Sequence, residues 1–339
     1  MKVLFIHRQR DPLKPSIFRS FEPFEDYLRK ENEVLDIFLP YGVGSLTNIF
    51  RNIKYVRKHR IKDGINHVSG ETHYAILGLL GCPSVLTIHD DYAISASPRK
   101  GIVQWIKKLL FLTLPIKFAD QVVCISPATK AQIDSYVKNS KTKVITHHDI
   151  TADFPYTPKT FNADCPTIFH MGTAPNKNLE TTLKALKGLK CKLRVLKKMT
   201  SEQTQLANEL GINYVNRYDL TNQEVFEEYN KADIILFPSL YEGLGMPILE
   251  GQSIGRPVIT TDREPMNWVA GRDGAILLKD PLDADEIRNK IILLCEDVGL
   301  RDILVSNGRN NIERFKLPAI YIAYMDVYKK ALARHKKQI

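Results

Sequence analysis

The stretch Ala232-Asp-Ile-Ile-Leu-Phe-Pro-Ser-Leu-Tyr-Glu-Gly-Leu-Gly-Met-Pro-Ile-Leu-Glu250 sets the reading of the whole chain. Residues 232–237 are a compact apolar run without helical spacing, which reads as a short buried strand. Then the chain turns. Gly243 and Gly245 lie two apart and Pro247 follows. Glycines let a backbone adopt unusual dihedrals and approach a ligand closely, and proline is favoured in the first turn of a helix. The spacing therefore predicts a helix over 247–254 whose N-terminus opens onto the loop 243–246. Such an end presents free N–H groups and a partial positive charge, which suits a phosphate. Glu242 and Glu250 flank the loop, eight positions apart. On spacing alone the pair has an ordinary explanation, since carboxylates near a helix N-terminus are stabilising anyway.

Outward from this stretch, short apolar runs alternate with longer segments of helical spacing. Residues 2–7, 34–39, 84–89 and 121–125 read as strands, with helical segments such as 18–30 and 101–118 between them. After residue 150 the pattern restarts, with strands predicted at 167–171, 192–196, 234–238, 257–261 and 275–278. Helices are predicted at 178–187, 222–231, 247–254, 283–294 and 301–315. Thr221-Asn-Gln-Glu224 has the form of a capping box. This alternation argues for two doubly wound α/β domains with parallel sheets. The polar segment 159–166, with breakers nearby, reads as the link between them. Residues 317–337 carry apolar and aromatic side chains spaced for one helical face.

A length of 339 residues is natural for two domains. No run approaches the ~18–20 apolar residues of a membrane span, and Met1-Lys-Val-Leu-Phe-Ile6 is too short for a signal-peptide core, so the chain reads as cytoplasmic. Five scattered cysteines without a Cys-x-x-Cys pair fit reduced thiols. The net charge of +10 is uneven: residues 1–150 hold 22 Lys and Arg against 14 Asp and Glu, and the remainder holds 26 against 24. The excess gathers in Arg51-Asn-Ile-Lys-Tyr-Val-Arg-Lys-His-Arg60 and around Lys107 and Lys108. It can attract anionic lipid, acidic substrate or nucleic acid, or be a solvated helix face. No nucleic-acid-binding module is recognisable, so no nucleic acid is expected. The segment 101–115, with Trp105, can lie in a membrane interface or pack as an ordinary helix on the sheet. Asn66-His-Val-Ser-Gly-Glu-Thr-His-Tyr74 reads as a polar loop ahead of a helix. Its two histidines have no Asp or Cys to complete a metal-ligand set.

The whole 232–250 string resembles the signature of the family 4 retaining glycosyltransferases, which have the GT-B fold: a Glu-x7-Glu pair bracketing a Gly-rich loop at the donor sugar nucleotide. The resemblance spans nearly the whole chain and is specific mainly over 167–281. It implies two Rossmann-like domains facing a central cleft: an acceptor-side domain over 1–158, a nucleotide-sugar-binding domain over 159–316, and a C-terminal helix over 317–339 returning towards the first. It implies a sugar transferase of surface polysaccharide or lipopolysaccharide type, using a UDP- or GDP-linked donor and a glycan or lipid-linked acceptor. No metal or other cofactor is expected, and a peripheral position on the inner face of the cytoplasmic membrane is possible for such enzymes.

The resemblance also assigns residues. Glu250 should accept the ribose hydroxyls, and Glu242 with the amides of Gly243, Leu244, Gly245 and Met246 should hold the transferred sugar. Gly172, Thr173, Asn176 and Lys177 open the second domain. Lys177 should meet the diphosphate, while Asn176 stands where relatives usually carry an Arg. Tyr218, Asp219 and Leu220 fall in the loop that holds the nucleotide base. His89, ending the strand 85–89, should approach the donor sugar, so Glu242, His89 and Lys177 are the expected catalytic groups. Ser126 matches a family position near the cleft. Departures are plain too. Relatives often have a Gly-Gly loop after the first strand, where this chain has Arg8-Gln-Arg-Asp-Pro-Leu-Lys-Pro-Ser16, in which Arg8, Arg10 and Lys14 can supply charge. Asp90-Asp91 invites a metal–diphosphate reading that the resemblance opposes. His147-His148-Asp149 replaces a Pro-Asn-Gly turn, and Trp268 stands where relatives often have a glutamate. Two other readings stay open: a nucleotide-sugar epimerase of the same fold, and a non-enzymatic binder of acidic polymer or nucleic acid through the basic first half.

Overall fold

A computed structural model describes residues 1–9, 16–42, 45–89, 101–139, 141–146 and 153–337. Arg10, Lys14, Asp90, Asp91, His147, His148 and Asp149 lie outside the described residues. The chain forms two compact units, Met1–Asp149 with Leu317–Ile339, and Ile150–Lys316.

The first unit holds a six-stranded parallel sheet in the order β2-β1-β3-β4-β5-β6. Its strands are β1 (Lys2–His7), β2 (Glu33–Phe38), β3 (Ile65–Val68), β4 (Ser84–Ile88), β5 (Gln121–Cys124) and β6 (Thr142–Val144). Both faces are covered, so β1 is apolar almost throughout and its alternate residues feed two cores. Leu4 and Ile6 pack with Ile49 and Val56 of the helix Leu46–His59 and with Phe111, Leu112 and Ile116. Val3 and Phe5 pack with Phe21 and Phe24, and with Ile320, Tyr324, Val327 and Tyr328 of the helix Leu317–Lys336.

Two expectations for this unit need correction. Residues 66–74 are a loop only over 69–72, which leads into the 3-10 helix His73–Gly78: Asn66, His67 and Val68 are fully buried in β3. The polar residues misled because each has a buried partner. Asn66 is bonded to the backbone of Ile61 and Pro83, His67 to the hydroxyls of Tyr328 and Thr87, and His73 to the Phe111 carbonyl. Nor is 101–118 one regular helix. It runs as Ile102–Lys108, a π-helical turn Leu109–Thr113, and Leu114–Phe118. Phe111, Leu112 and Ile116 are buried while Ile102 and Trp105 face solvent, so only its later part packs on the body. On the helix Leu46–His59, Arg51, Lys54, Arg57 and Lys58 are exposed, beside exposed Leu46 and Phe50.

The second unit holds another six-stranded parallel sheet, in the order β12-β11-β10-β7-β8-β9. Its strands are β7 (Thr167–Met171), β8 (Lys192–Leu196), β9 (Tyr214–Arg217), β10 (Ile234–Phe237), β11 (Val258–Thr261) and β12 (Ile276–Leu278). Again alternate residues serve opposite cores: Ile235 and Phe237 on one face, Ile234 and Leu236 on the other. The capping box at Thr221 forms, with its hydroxyl taking the Glu224 amide and the Glu224 carboxylate taking the Thr221 amide. The entry segment to this unit is pinned by Asp233, whose carboxylate accepts the amides of Asn162 (3.2 Å) and Thr167 (2.8 Å) and pairs with Lys159.

Candidate active site

Strand order locates a crevice in the second unit. From β7 the chain proceeds to β8 and β9 on one side, then returns to place β10 on the other. Loops leaving the carboxyl ends of β7 and β10 therefore diverge, and in open α/β sheets ligands bind at such a switch point. Both Gly-containing loops of the sequence leave from these two strands.

After β7, Gly172 takes φ +96°. A Cβ there would lie 2.7 Å from Cγ of Lys177, so the lysine stem crosses the glycine face. Lys177 ends the short 3-10 turn Pro175–Lys177 and sends Nζ to Glu242 Oε1, 2.5 Å away, and over the Phe237 ring, 5.0 Å from its centroid. Ser239 Oγ also reaches Glu242 Oε1 and lies 2.8 Å from the Asn176 carbonyl. Asn176 stitches the loops together: its carbonyl accepts the Leu240 amide (2.8 Å) and its side-chain amide donates to the Tyr241 carbonyl (2.9 Å). Asn178, at φ +62°, donates to the carbonyls of Pro238 and Pro281 and holds the start of the helix Leu179–Leu186.

After β10, Gly245 takes φ +104° and precedes the helix Met246–Ile254, with Pro247 in its first turn. The helix starts one residue earlier than the sequence predicts and has no side-chain N-cap, so its first amides depend on backbone, solvent or ligand. It stops at Gly255, at φ +80°. Glu250 lies on this helix and accepts a short hydrogen bond from Tyr229. Tyr229 is fully buried and packed on Phe169, 4.1 Å between ring centroids. Burial pushes the Glu250 carboxyl up to about 7, with the Tyr229 hydrogen bond pulling it back down.

The remaining residues of this unit sit on the next two loops. Thr173 donates to the Lys198 carbonyl (2.9 Å). Lys198 Nζ stands 5.9 Å from the ring centroid of Tyr218, which is exposed. Asp219 takes φ +55°, and Leu220 packs into the same apolar cluster as Leu244. Gly172, Thr173, Asn176, Lys177, the loop 242–246 and Glu250 thus gather on β7 and β10, with Tyr218 and Asp219 on the adjoining edge. Tyr229, Ser239, Asn178 and Lys198 are the members that sequence reasoning missed. Only Ser239 lay inside the quoted stretch, as a hydroxyl three positions before Glu242.

In the first unit, His89 follows β4. Its Nε2 lies 3.0 Å from the Ser69 carbonyl, and its ring meets Phe21 edge-on at 5.9 Å. Ser126 caps the helix Pro127–Tyr136, accepting the Thr129 amide at 3.1 Å.

Comparison with known proteins bears on this arrangement. Residues 165–297 match the model of glycosyl transferases group 1, and residues 12–147 that of glycosyltransferase family 4. The two matches fall one on each half of the chain, and the first contains the whole crevice. This chain is a glycosyltransferase of the GT-B fold. An uncharacterised glycosyltransferase of Methanocaldococcus jannaschii is 22% identical over 321 residues, 89% of this chain and 87% of that one. The O-antigen chain mannosyltransferase B of Escherichia coli is 33% identical over 101 residues, 30% of this chain and 26% of that one. Among solved structures, the Anabaena protein HepE, determined with UDP and glucose, superposes with a TM-score of 0.69 at 16% identity, covering 96% of this chain and 98% of that one. For the glycosyltransferase, then, the crevice at β7 and β10 is the candidate active site.

Proposed function

We propose that this enzyme transfers a sugar, with retention of anomeric configuration, from a UDP- or GDP-sugar to a glycan or lipid-linked acceptor in surface polysaccharide synthesis. The observation that carries the reading is the Lys177–Glu242 pair beside the uncapped N-terminus of the helix Met246–Ile254, with Glu250 held on the same helix by Tyr229. A cation, a helix N-terminus and two carboxylates meet the parts of a nucleotide sugar in turn. Glu250 accepts the ribose hydroxyls. Lys177 and the helix N-terminus take the diphosphate, whose negative charge grows as it leaves. Without donor, Lys177 is paired with Glu242. A diphosphate draws the ammonium towards itself and releases Glu242 to bind hydroxyls of the transferred sugar, alongside the amides of residues 243–246. Gly172, Thr173 and Asn176 shape the phosphate side, and Tyr218, Asp219 and Leu220 the base side. His89 is the proposed catalytic group of the first unit.

No helix among the described residues is long and apolar enough to cross a membrane. Exposed Ile102 and Trp105 beside Lys107 and Lys108, and exposed Leu46 and Phe50 beside Arg51 and Lys54, support a peripheral contact of the first unit with anionic lipid. The name of the Escherichia coli mannosyltransferase and the UDP bound in HepE support a polysaccharide role and a nucleotide donor.

The test is release of free nucleoside diphosphate from a panel of UDP- and GDP-sugars, with and without lipid-linked and oligosaccharide acceptors. Acceptor-dependent release that drops at least about 100-fold in Glu242→Ala supports the reading. Sugar isomerisation without any acceptor identifies an epimerase instead.

A further inference from the structure

One group of side chains in the first unit has no part in that reading. His7 closes β1, Asp36 lies on β2, and Glu25 lies on the helix Ser16–Arg29. His7 and Glu25 are buried, while Asp36 reaches solvent. His7 Nε2 stands 3.3 Å from Glu25 Oε1 and 3.3 Å from Asp36 Oδ1, and all three atoms lie within 4.8 Å of one another.

The spacing is informative. A proton shared between an imidazolium and a carboxylate draws nitrogen and oxygen to about 2.7–2.9 Å. Tetrahedral Zn2+ bonds to nitrogen and oxygen at about 2.0–2.2 Å, which sets neighbouring ligand atoms about 3.3–3.5 Å apart. Both contacts of His7 match the second figure. A separate observation points the same way: Glu25 Oε1, on a side chain only 2% exposed, has no hydrogen-bond partner and is aimed at His7 Nε2.

The surroundings orient the three groups. Ser69 Oγ lies 2.9 Å from His7 Nδ1. The tautomer that donates from Nδ1 presents the Nε2 lone pair to the carboxylates, as in a metal-ligating histidine held by an outer partner. Arg29 takes the outer oxygens: its Nη2 pairs with Asp36 Oδ2 and stands 3.8 Å from Glu25 Oε2, while its Nη1 is engaged by Asp26 at 2.7 Å. Glu25 Oε1 and Asp36 Oδ1, the latter also within hydrogen-bond reach of His7 Nε2, both face the imidazole. A set of imidazole and carboxylate ligands suits a small divalent transition ion.

We propose that His7, Glu25 and Asp36 bind one divalent ion of the Zn2+ class, with water completing the coordination on the Asp36 side. The ion ties the ends of β1 and β2 to the helix Ser16–Arg29 and takes no step in sugar transfer. The rival arrangement is a metal-free network in which Arg29 and a shared proton balance the carboxyl groups of Glu25 and Asp36.

The experiment uses the full chain, stripped with a chelator and dialysed. Zn2+ is titrated calorimetrically, and Co2+ serves as a spectroscopic probe whose visible bands intensify in tetrahedral coordination. The expected result is one ion per chain and an intense Co2+ spectrum. Affinity falls more than about tenfold in both Glu25→Gln and Asp36→Asn. It is unchanged in His59→Gln, which alters an exposed histidine. Asp36→Asn keeps volume at a solvent-reaching site, so it remains informative even if Glu25→Gln misfolds, and circular dichroism checks each variant. No stoichiometric Zn2+ binding by the folded native chain, or binding that persists in folded Asp36→Asn at native affinity, overturns the proposal.

Discussion

Replacing Glu250 by glutamine keeps the side-chain shape and removes its charge. Burial raises this carboxyl to about 7, so about a tenth of it is ionised at pH 6 and about nine-tenths at pH 8. The anion is the form that accepts two ribose hydroxyls strongly. Nucleotide affinity of the native enzyme should therefore rise about tenfold between pH 6 and pH 8 beyond any rise in Glu250→Gln. The variant keeps the contribution from the phosphates' own ionisation, so the difference isolates the carboxyl. At pH 8, loss of hydrogen bonds to the charged group should weaken binding by about 1.5–3 kcal/mol, or about 10- to 150-fold. Isothermal titration with UDP and GDP at pH 6, 7 and 8 measures both effects. The stability effect has the opposite sign. A carboxyl whose folded pKa is raised holds its proton better in the fold, so its stabilisation is present at low pH and lost as pH rises through about 7. Glu250→Gln cannot lose that proton and should gain in melting temperature relative to native between pH 5 and 8. Parallel pH curves of affinity for the two proteins would refute the assignment of Glu250.

Gly172→Ala forces a Cβ into φ +96° and against the Lys177 stem, so it should cost about 1–2 kcal/mol of stability and displace Lys177 from its pairing; a urea titration and a nucleotide titration read the two losses. Asp233→Ala removes the acceptor for the amides of Asn162 and Thr167 and the partner of Lys159, and should lower unfolding free energy by about 2–5 kcal/mol without changing nucleotide affinity in the folded protein. Lys177→Ala and Glu242→Ala should be non-additive in kcat/KM, which is referred to the donor-free enzyme where the two side chains touch; additive effects in a double-mutant cycle would mean that this pairing carries no energy.

The second unit was legible because its chemistry is local. One contiguous stretch contains the strand, the glycines, the helix start and both glutamates, and a second contains Gly172 and Lys177. What stayed hidden was set by contacts distant in sequence. Tyr229 is an ordinary aromatic on an amphipathic helix until β10 and the helix Met246–Ile254 bring Glu250 onto its hydroxyl. β3 escaped because Asn66 and His67 break the apolar pattern, and their burial depends on partners at 83, 87 and 328. β9 (Tyr214–Arg217) escaped because it is an edge strand, half exposed and polar. The group His7, Glu25 and Asp36 has no meaningful spacing in the chain, and only the pairing of β1 with β2 under the helix Ser16–Arg29 assembles it. The apolar and aromatic face at 317–337, by contrast, could be read from its period, and it packs against Phe21 and Phe24 in the first unit.

In the proposed function, the crevice of the second unit holds a nucleotide sugar through Lys177, Glu242 and Glu250. Calorimetric titration of the native chain with UDP and with GDP, repeated on Glu250→Gln at pH 8, tests it most directly. The expected result is 1:1 binding of one nucleotide series and a loss of about 10- to 150-fold in the variant. A folded native chain that binds neither nucleotide, or a variant that binds as tightly as native, would contradict it.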